Sequence, residues 1–365
     1  MKPLIVAGRG IRLAKEQKRF RQFIERCQVP FVSTWGGADL IPTDHPLNTG
    51  ILGMCGQIGA NKAVQECANM FAIGTHLAIP HTTTLTDKFA PNARITCINI
   101  DTDQLANMNV KATPWCKGVS EWLDSALFFH AERSWLERCL ALKKMNEIGR
   151  PKASRGVNSY VFNDLMTRML PAGTCMVVDG GGTALYTGFQ SSHIKEGSRL
   201  ICSTGMSAMG SGLPEAVGAC FASSQMTTCL IGDGSFMLNV QELQTIKHHN
   251  LPIKIFVLNN EGYLAIRDTQ NGFLEGRHTG VGGEGDESIS FTPILRQSLA
   301  YGISFHRISI MRKMEEIIGA VLNEEGPSIC EVICPSDQEM RWRQDFKEEN
   351  GRFIPQTLDN MKVAA

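Results

Sequence analysis

The sequence lacks a net charge: 36 basic and 36 acidic side chains cancel over 365 residues. That balance excludes the electrostatic footprint of a chain whose main work is binding nucleic acid or lying on an anionic membrane. It also lacks long hydrophobic runs. The longest largely apolar stretches, such as residues 253–258, fall far short of the roughly 20 residues a membrane-spanning helix needs. The opening MKPLIVAGRG carries one lysine and a short apolar run that stops at Gly8, too brief for the core of a secretory signal, so cytoplasmic residence is expected. The 12 cysteines include no C-x-x-C pair and many sit inside apolar runs, which reads as reduced core packing rather than a disulfide framework or zinc site. Tyrosine is scarce, at four, whereas glycine is abundant, at 35, the balance expected where tight turns join buried strands.

With 43 % hydrophobic and 20 % charged residues the chain is expected to fold throughout, and its length accommodates two domains. The first half alternates strand and helix patterns: strands at 4–7, 29–33, 71–74 and 94–101, helices at 13–27 and 61–70, and a charged helical stretch over 120–147. Residues 148–156 form a Gly/Pro/Ser/Lys-rich linker. A second series follows, with strands at 174–179, 200–203, 227–232, 253–259, 303–306 and 328–333, and helices at 158–169, 214–222, 239–249, 293–301 and 313–323. Residues 261–290 read as a long polar, glycine-rich connection bordering a site. The expectation is an α/β protein with parallel sheets flanked by helices: a Rossmann-like domain over 1–150, a second domain over 156–345 and a tail over 346–365.

The chemistry concentrates at two strand ends. TTCLIG runs into Asp233, Gly234 and Ser235, and IKIFVLN runs into Asn260, Glu261 and Gly262. In a parallel sheet both ends lie at the carboxyl edge, where open α/β folds collect ligands. A carboxylate, an amide carbonyl and a main-chain carbonyl are hard oxygen donors suited to Mg²⁺ shared with phosphate oxygens. Gly234 and Ser235 are expected just before a helix whose free N–H groups favour an anion.

With these spacings the sequence resembles the thiamine diphosphate enzymes of the acetolactate synthase type. GDGSFMLNVQEL, NLPIKIFVLNNEGY and MGSGLPEAVGA are similar to the family's cofactor-binding core, and PLIVAGRG, GMCGQIGANKAVQECANMFAIG and RITCINID to its central domain, so the likeness covers nearly the whole chain. The resemblance implies Mg²⁺ ligation by Asp233, Asn260 and the carbonyl of Gly262, with Gly232, Gly234 and Ser235 at the diphosphate. Met209 matches the residue over which the cofactor bends, and the Ser207 carbonyl would receive its amine. Gly180–Ala184 occupies the place of a Gln-His segment but reads GGGTA, leaving Thr183 as the hydrogen-bonding side chain there.

The family's activating glutamate belongs to a pyrimidine-binding domain that precedes the central one, and no residue here matches it. No catalytic residue is therefore assigned. The expected function is decarboxylation or carboligation of 2-oxo acids such as pyruvate, in partnership with a pyrimidine-domain chain or within a homo-oligomer. A truncated remnant or regulatory cofactor-binding subunit is the alternative. The resemblance also admits FAD in the central domain, though no residue of the sequence speaks for it. A nicotinamide site at Gly8, Gly10 and Ala14 is the weaker reading, because no acidic residue follows near Phe31 to Trp35. His193 and His278 are candidate substrate contacts, His248 and His249 belong at a helix end, and Asp101 and Asp103 shape a turn.

Overall fold

A computed structural model describes residues 1–125, 129–149, 156–283, 287–350 and 352–363. The chain forms two units, Met1–Glu147 together with Arg341–Ala365, and Ile148–Met340. Most of the expected linker lies outside the described residues.

Unit 1 is built on strands β1 (Pro3–Ala7), β2 (Phe31–Ser33), β3 (Asn48–Ile51), β4 (Asn69–Ile73), β5 (Arg94–Asn99) and β6 (Thr113–Cys116). They form one parallel sheet in the order β3-β2-β1-β4-β5-β6. This is the doubly wound order, with its switch point between β1 and β4. Strand alternation splits the core between the two faces: Leu4 and Val6 pack with Leu52 and Trp135, while Ile5 and Ala7 pack with Phe20, Phe23 and Trp122.

The glycines at the switch point serve packing. A Cβ on Gly8 would lie 2.2 Å from the Gly74 carbonyl oxygen, and one on Gly10 would lie 2.6 Å from Gly74 Cα. The Gly10 N–H already donates to the Gly74 carbonyl at 2.9 Å. Asp101 caps the helix Thr102–Ala106, accepting from the N–H groups of Asp103 and Gln104, each at 3.0 Å.

The C-terminal segment, expected as a tail over 346–365 after a second domain reaching residue 345, groups from Arg341 onward with the first unit. It returns to unit 1, where Trp342 and Met361 cluster with Ile58 and the Asn61 amide donates to Met361 Sδ at 3.1 Å. The apolar residues responsible are spaced too irregularly to be read as an element. Other differences are local. The helix expected over 13–27 is broken at Lys15, which has φ 59°, into Gly10–Leu13 and Gln17–Cys27. The helix expected over 61–70 runs Ile58–Glu66, and β4 begins at Asn69.

Unit 2 contains β7 (Cys175–Val178), β8 (Arg199–Ile201), β9 (Thr227–Gly232), β10 (Ile253–Asn259), β11 (Ser304–Ile308) and β12 (Ser328–Ile333). They form a second parallel sheet, ordered β11-β12-β10-β9-β7-β8. Its central strands are buried on both faces, which is why β9 and β10 read as near-continuous apolar runs. The one charge within them, Lys254, is buried and donates Nζ to the carbonyls of Glu324 at 2.6 Å and Gly326 at 2.7 Å. The chain turns from one side of β7 to the other between β8 and β9, so the ligand-collecting crevice of this sheet lies between β7 and β9. Two expectations change here. The connection over 261–290 contains the helix Leu264–Phe273, and the helix after β9 begins at Asp233, putting Gly234 and Ser235 in its first turn. No described helix is long and apolar enough to cross a membrane.

Candidate functional site

The segments following β7, β9 and β10 converge at this crevice. A cleft there is lined by Thr183, Met209, Gly232, Asp233, Ser235 and Gly262, among others. Thus seven of the ten residues singled out in the sequence meet around one space once Gly234, also in the lining, is counted. Asn260 joins them through a hydrogen bond to Thr183, and Gly180 and Ser207 meet each other alongside.

Asp233 stands at the end of β9 and is only 3 % exposed. Its Oδ1 accepts from the Gly234 N–H at 2.7 Å and its Oδ2 from the Gly262 N–H at 2.9 Å, tying the β9 and β10 loops together. Burial pushes its carboxyl up to about 6, against backbone N–H groups of Gly262, Gly234, Asn260 and Glu261 that favour the ionised form. The bonds from Gly234 and Gly262 take two of the about four lone-pair sites on its oxygens, which leaves electron pairs for a cation.

Asn260 is 1 % exposed, and its Nδ2 donates to Thr183 Oγ1 at 3.1 Å. Its Oδ1 is buried and has no hydrogen-bond partner among the described residues. An oxygen left so beside a buried carboxylate has the chemistry of a metal ligand. Gly262 has φ 135°, and a Cβ there would lie 2.1 Å from the Val281 carbonyl oxygen, so glycine is required. Its own carbonyl accepts from the Leu264 N–H at 3.1 Å and keeps a second lone pair. By contrast, a Cβ on Gly232 would meet nothing within 4 Å, so the missing side chain opens space toward the cleft instead of relieving an internal clash. The donors and the space fit a divalent cation with a diphosphate.

The three glycines of GGGTA each abut a neighbour. Cβ atoms would lie 2.3 Å from Ser207 C at Gly180, 2.4 Å from Ser235 Oγ at Gly181 and 2.4 Å from Ala265 Cβ at Gly182. Ser207 adopts φ 48° there, and Met209 is 39 % exposed at the cleft wall.

Sequence reasoning missed Asp179, which is fully buried just after β7. Its Oδ1 accepts from the Gly181 N–H at 2.8 Å and its Oδ2 from the Gly212 N–H at 2.9 Å, and the Ser235 hydroxyl donates to it. Burial raises this carboxyl above the ordinary range. The signal was present: Asp-Gly closes a strand twice, at Asp179-Gly180 and Asp233-Gly234. Tyr263 and Arg267 were missed too. The first packs on Gly234, and the second donates to the carbonyls of Glu261 and Ser336. The candidate histidines lie elsewhere: His193 follows the helix Gly182–Ser191, its N–H bonded to Thr167 Oγ1, and His278 pairs with Asn271 at 2.7 Å.

Comparison with known proteins agrees with this geometry. The C-terminal TPP binding domain of thiamine pyrophosphate enzymes matches residues 180–332, and the central domain of the same enzymes matches residues 1–125. The acetolactate synthase isozyme 2 large subunit of Escherichia coli (strain K12) is 28 % identical, covering 91 % of this chain and 59 % of that protein. The chloroplastic acetolactate synthase of Arabidopsis thaliana is 28 % identical, covering 92 % and 52 %, and acetolactate synthase 1 of Zea mays is 26 % identical, covering 92 % and 54 %. The chain therefore spans between half and three-fifths of the length of these relatives. It belongs to the thiamine pyrophosphate enzyme family, of which it carries the central and the C-terminal, cofactor-binding domains.

Proposed function

We propose that unit 2 holds the diphosphate of thiamine diphosphate through Mg²⁺, and that the protein acts on 2-oxo acids such as pyruvate in an acetolactate synthase-like reaction. The observation that carries this reading is the buried, unpartnered Oδ1 of Asn260 at the end of β10, beside Asp233 at the end of neighbouring β9. Asp233, Asn260 and the Gly262 carbonyl would hold the metal. Gly232, Gly234 and Ser235 would face the diphosphate, with Gly180 and Thr183 bordering it. When bound, the cofactor supplies an electron sink for decarboxylation.

The chain's residues bind and orient. Asp233 brings negative charge to the cation, and its backbone donors hold the β9 and β10 loops in register. Met209 offers an apolar wall, and the Ser207 carbonyl an acceptor for an amine. The proton transfer that activates the cofactor is assigned to a carboxylate of a pyrimidine domain, contributed by a partner chain or by a further part of the polypeptide. All 12 cysteines are free thiols, which supports a reducing, cytoplasmic setting.

Calorimetric titration of thiamine diphosphate with and without Mg²⁺ tests the reading. Metal-dependent binding is expected, weakened severely in Asp233→Ala. Equal binding by that variant would reject it.

A further inference from the structure

Metal ligation by an asparagine has a problem that ligation by an aspartate lacks. Only one of the two terminal atoms of the amide is a donor of electron pairs, and a half turn about the last bond presents –NH₂ to the cation instead. Something must fix the amide the right way round. Asn260 is 1 % exposed, so water does not do this. The only hydrogen bond its side chain makes among the described residues runs from Nδ2 to Thr183 Oγ1, at 3.1 Å. The other end, Oδ1, is buried and unpartnered.

The placement is informative. Thr183 is the second residue of the helix Gly182–Ser191 that follows β7, and Asn260 follows β10. β9 lies between those two strands. The hydrogen bond therefore bridges the end of β9, where Asp233 begins the next helix. Gly180, Gly181 and Gly182 have no space for a Cβ, leaving Thr183 as the first residue after Asp179 able to present a side chain.

We infer that Thr183 is a positioning residue that accepts the Asn260 amide N–H and so aims the carbonyl oxygen of Asn260 at the divalent cation. The inference rests on the metal–diphosphate reading of the same site. Thr183 need not touch the metal or the substrate; it acts through the orientation of Asn260. Loss of such an outer partner typically weakens metal binding by about 10- to 100-fold.

A double-mutant cycle on the full chain tests this, with Mg²⁺ titrated in the presence of thiamine diphosphate and binding read by calorimetry and by the rise in melting temperature. Thr183→Val keeps the shape and removes the hydroxyl, and Thr183→Ser keeps the hydroxyl. Asn260→Asp replaces the amide by a carboxylate whose two ends are equivalent, so orientation ceases to matter. Thr183→Val is expected to weaken Mg²⁺ binding about 10-fold or more. Thr183→Ser should restore most of it, and in the Asn260→Asp background Thr183→Val should cost under about threefold, within the ordinary scatter of additive effects. Equal losses in both backgrounds, or no loss beside Asn260, would overturn the inference. Should Asn260→Asp not fold, the Val and Ser variants still decide: equal binding by the two rejects it. Asp233→Ala, run in parallel, separates the levels, since wild-type binding by that variant removes the metal reading itself.

Discussion

Gly234 and Tyr263 touch so closely that no side chain fits between them: a Cβ on Gly234 would lie 2.3 Å from the Tyr263 ring. The first turn after β9 and the loop after β10 are thus seated on each other directly, and the contact sets how far apart Asp233 and Gly262 stand. Gly234→Ala is expected to force the ring away at a cost of about 1–3 kcal/mol in unit 2 and to weaken Mg²⁺-dependent cofactor binding. Adding Tyr263→Ala should recover part of the binding. Thermal melts and calorimetry of the single and double variants check this, and a double variant no better than Gly234→Ala would argue against the contact as the cause.

Asp179 stitches three segments together, through the N–H groups of Gly181 and Gly212 and the hydroxyl of Ser235. Asp179→Ala strands these donors, each at a penalty of about 1–3 kcal/mol. We expect a fall in stability of roughly 3–5 kcal/mol on that basis, with Asp179→Asn losing about half as much because it retains one acceptor oxygen. Urea denaturation of unit 2 measures both; a loss under about 1 kcal/mol in the alanine variant contradicts the assignment.

The two units should respond oppositely to acid. Asp233 titrates at about 6 in the folded chain because burial disfavours its charge. Between pH 4 and 6 the native state therefore holds a proton that the unfolded state has released, so acidification stabilises metal-free unit 2. His81 is displaced the other way. Burial, with a smaller contribution from His76, lowers it to about 4. The unfolded chain then binds the extra proton between pH 4 and 6.5, and unit 1 loses stability as pH falls through that window. Each swing is on the order of 3 kcal/mol. Calorimetric scans from pH 7.5 to 4.5 should show two transitions moving apart in opposite senses, with Asp233→Asn flattening one and His81→Gln the other.

Trp342 is 2 % exposed against Ile58 and Met361, and the Arg341 guanidinium lies 4.4 Å from its ring centroid. Trp342→Ala should destabilise unit 1 by about 3–5 kcal/mol and leave the melting of unit 2 unchanged. A shift in the unit 2 transition alone would contradict this division of the chain.

What could be read in advance follows from burial. β9, β10 and β12 occupy the residues their apolar runs predict, because a strand covered on both faces has little choice of composition. β6 was not foreseen: Thr113–Cys116 is an edge strand with all four residues exposed, so no hydrophobic pattern marks it. The helix Leu264–Phe273 was hidden for a related reason, since it buries only Leu264 and its centre, Arg267 to Asn271, is polar. At the site, Asp233 and Asn260 were legible because apolar runs end abruptly on them. Asp179 ends such a run as well, but its role is to accept hydrogen bonds from residues 33 and 56 positions away, Gly212 and Ser235, and the sequence does not display those distances as neighbours.

The return of the C-terminal segment to unit 1 has a consequence for the order in which the protein is made. Residues 148–340 are contiguous, so unit 2 can finish as soon as its last strand emerges. Unit 1 begins first and is completed last, because Ile58 gains its neighbours only when Trp342 and Met361 have been synthesised. At about 5–20 residues per second, the roughly 300 intervening residues take on the order of 15–60 s. During that interval the nascent first unit stands with an open apolar seat, the stage at which a ribosome-associated chaperone has most to protect.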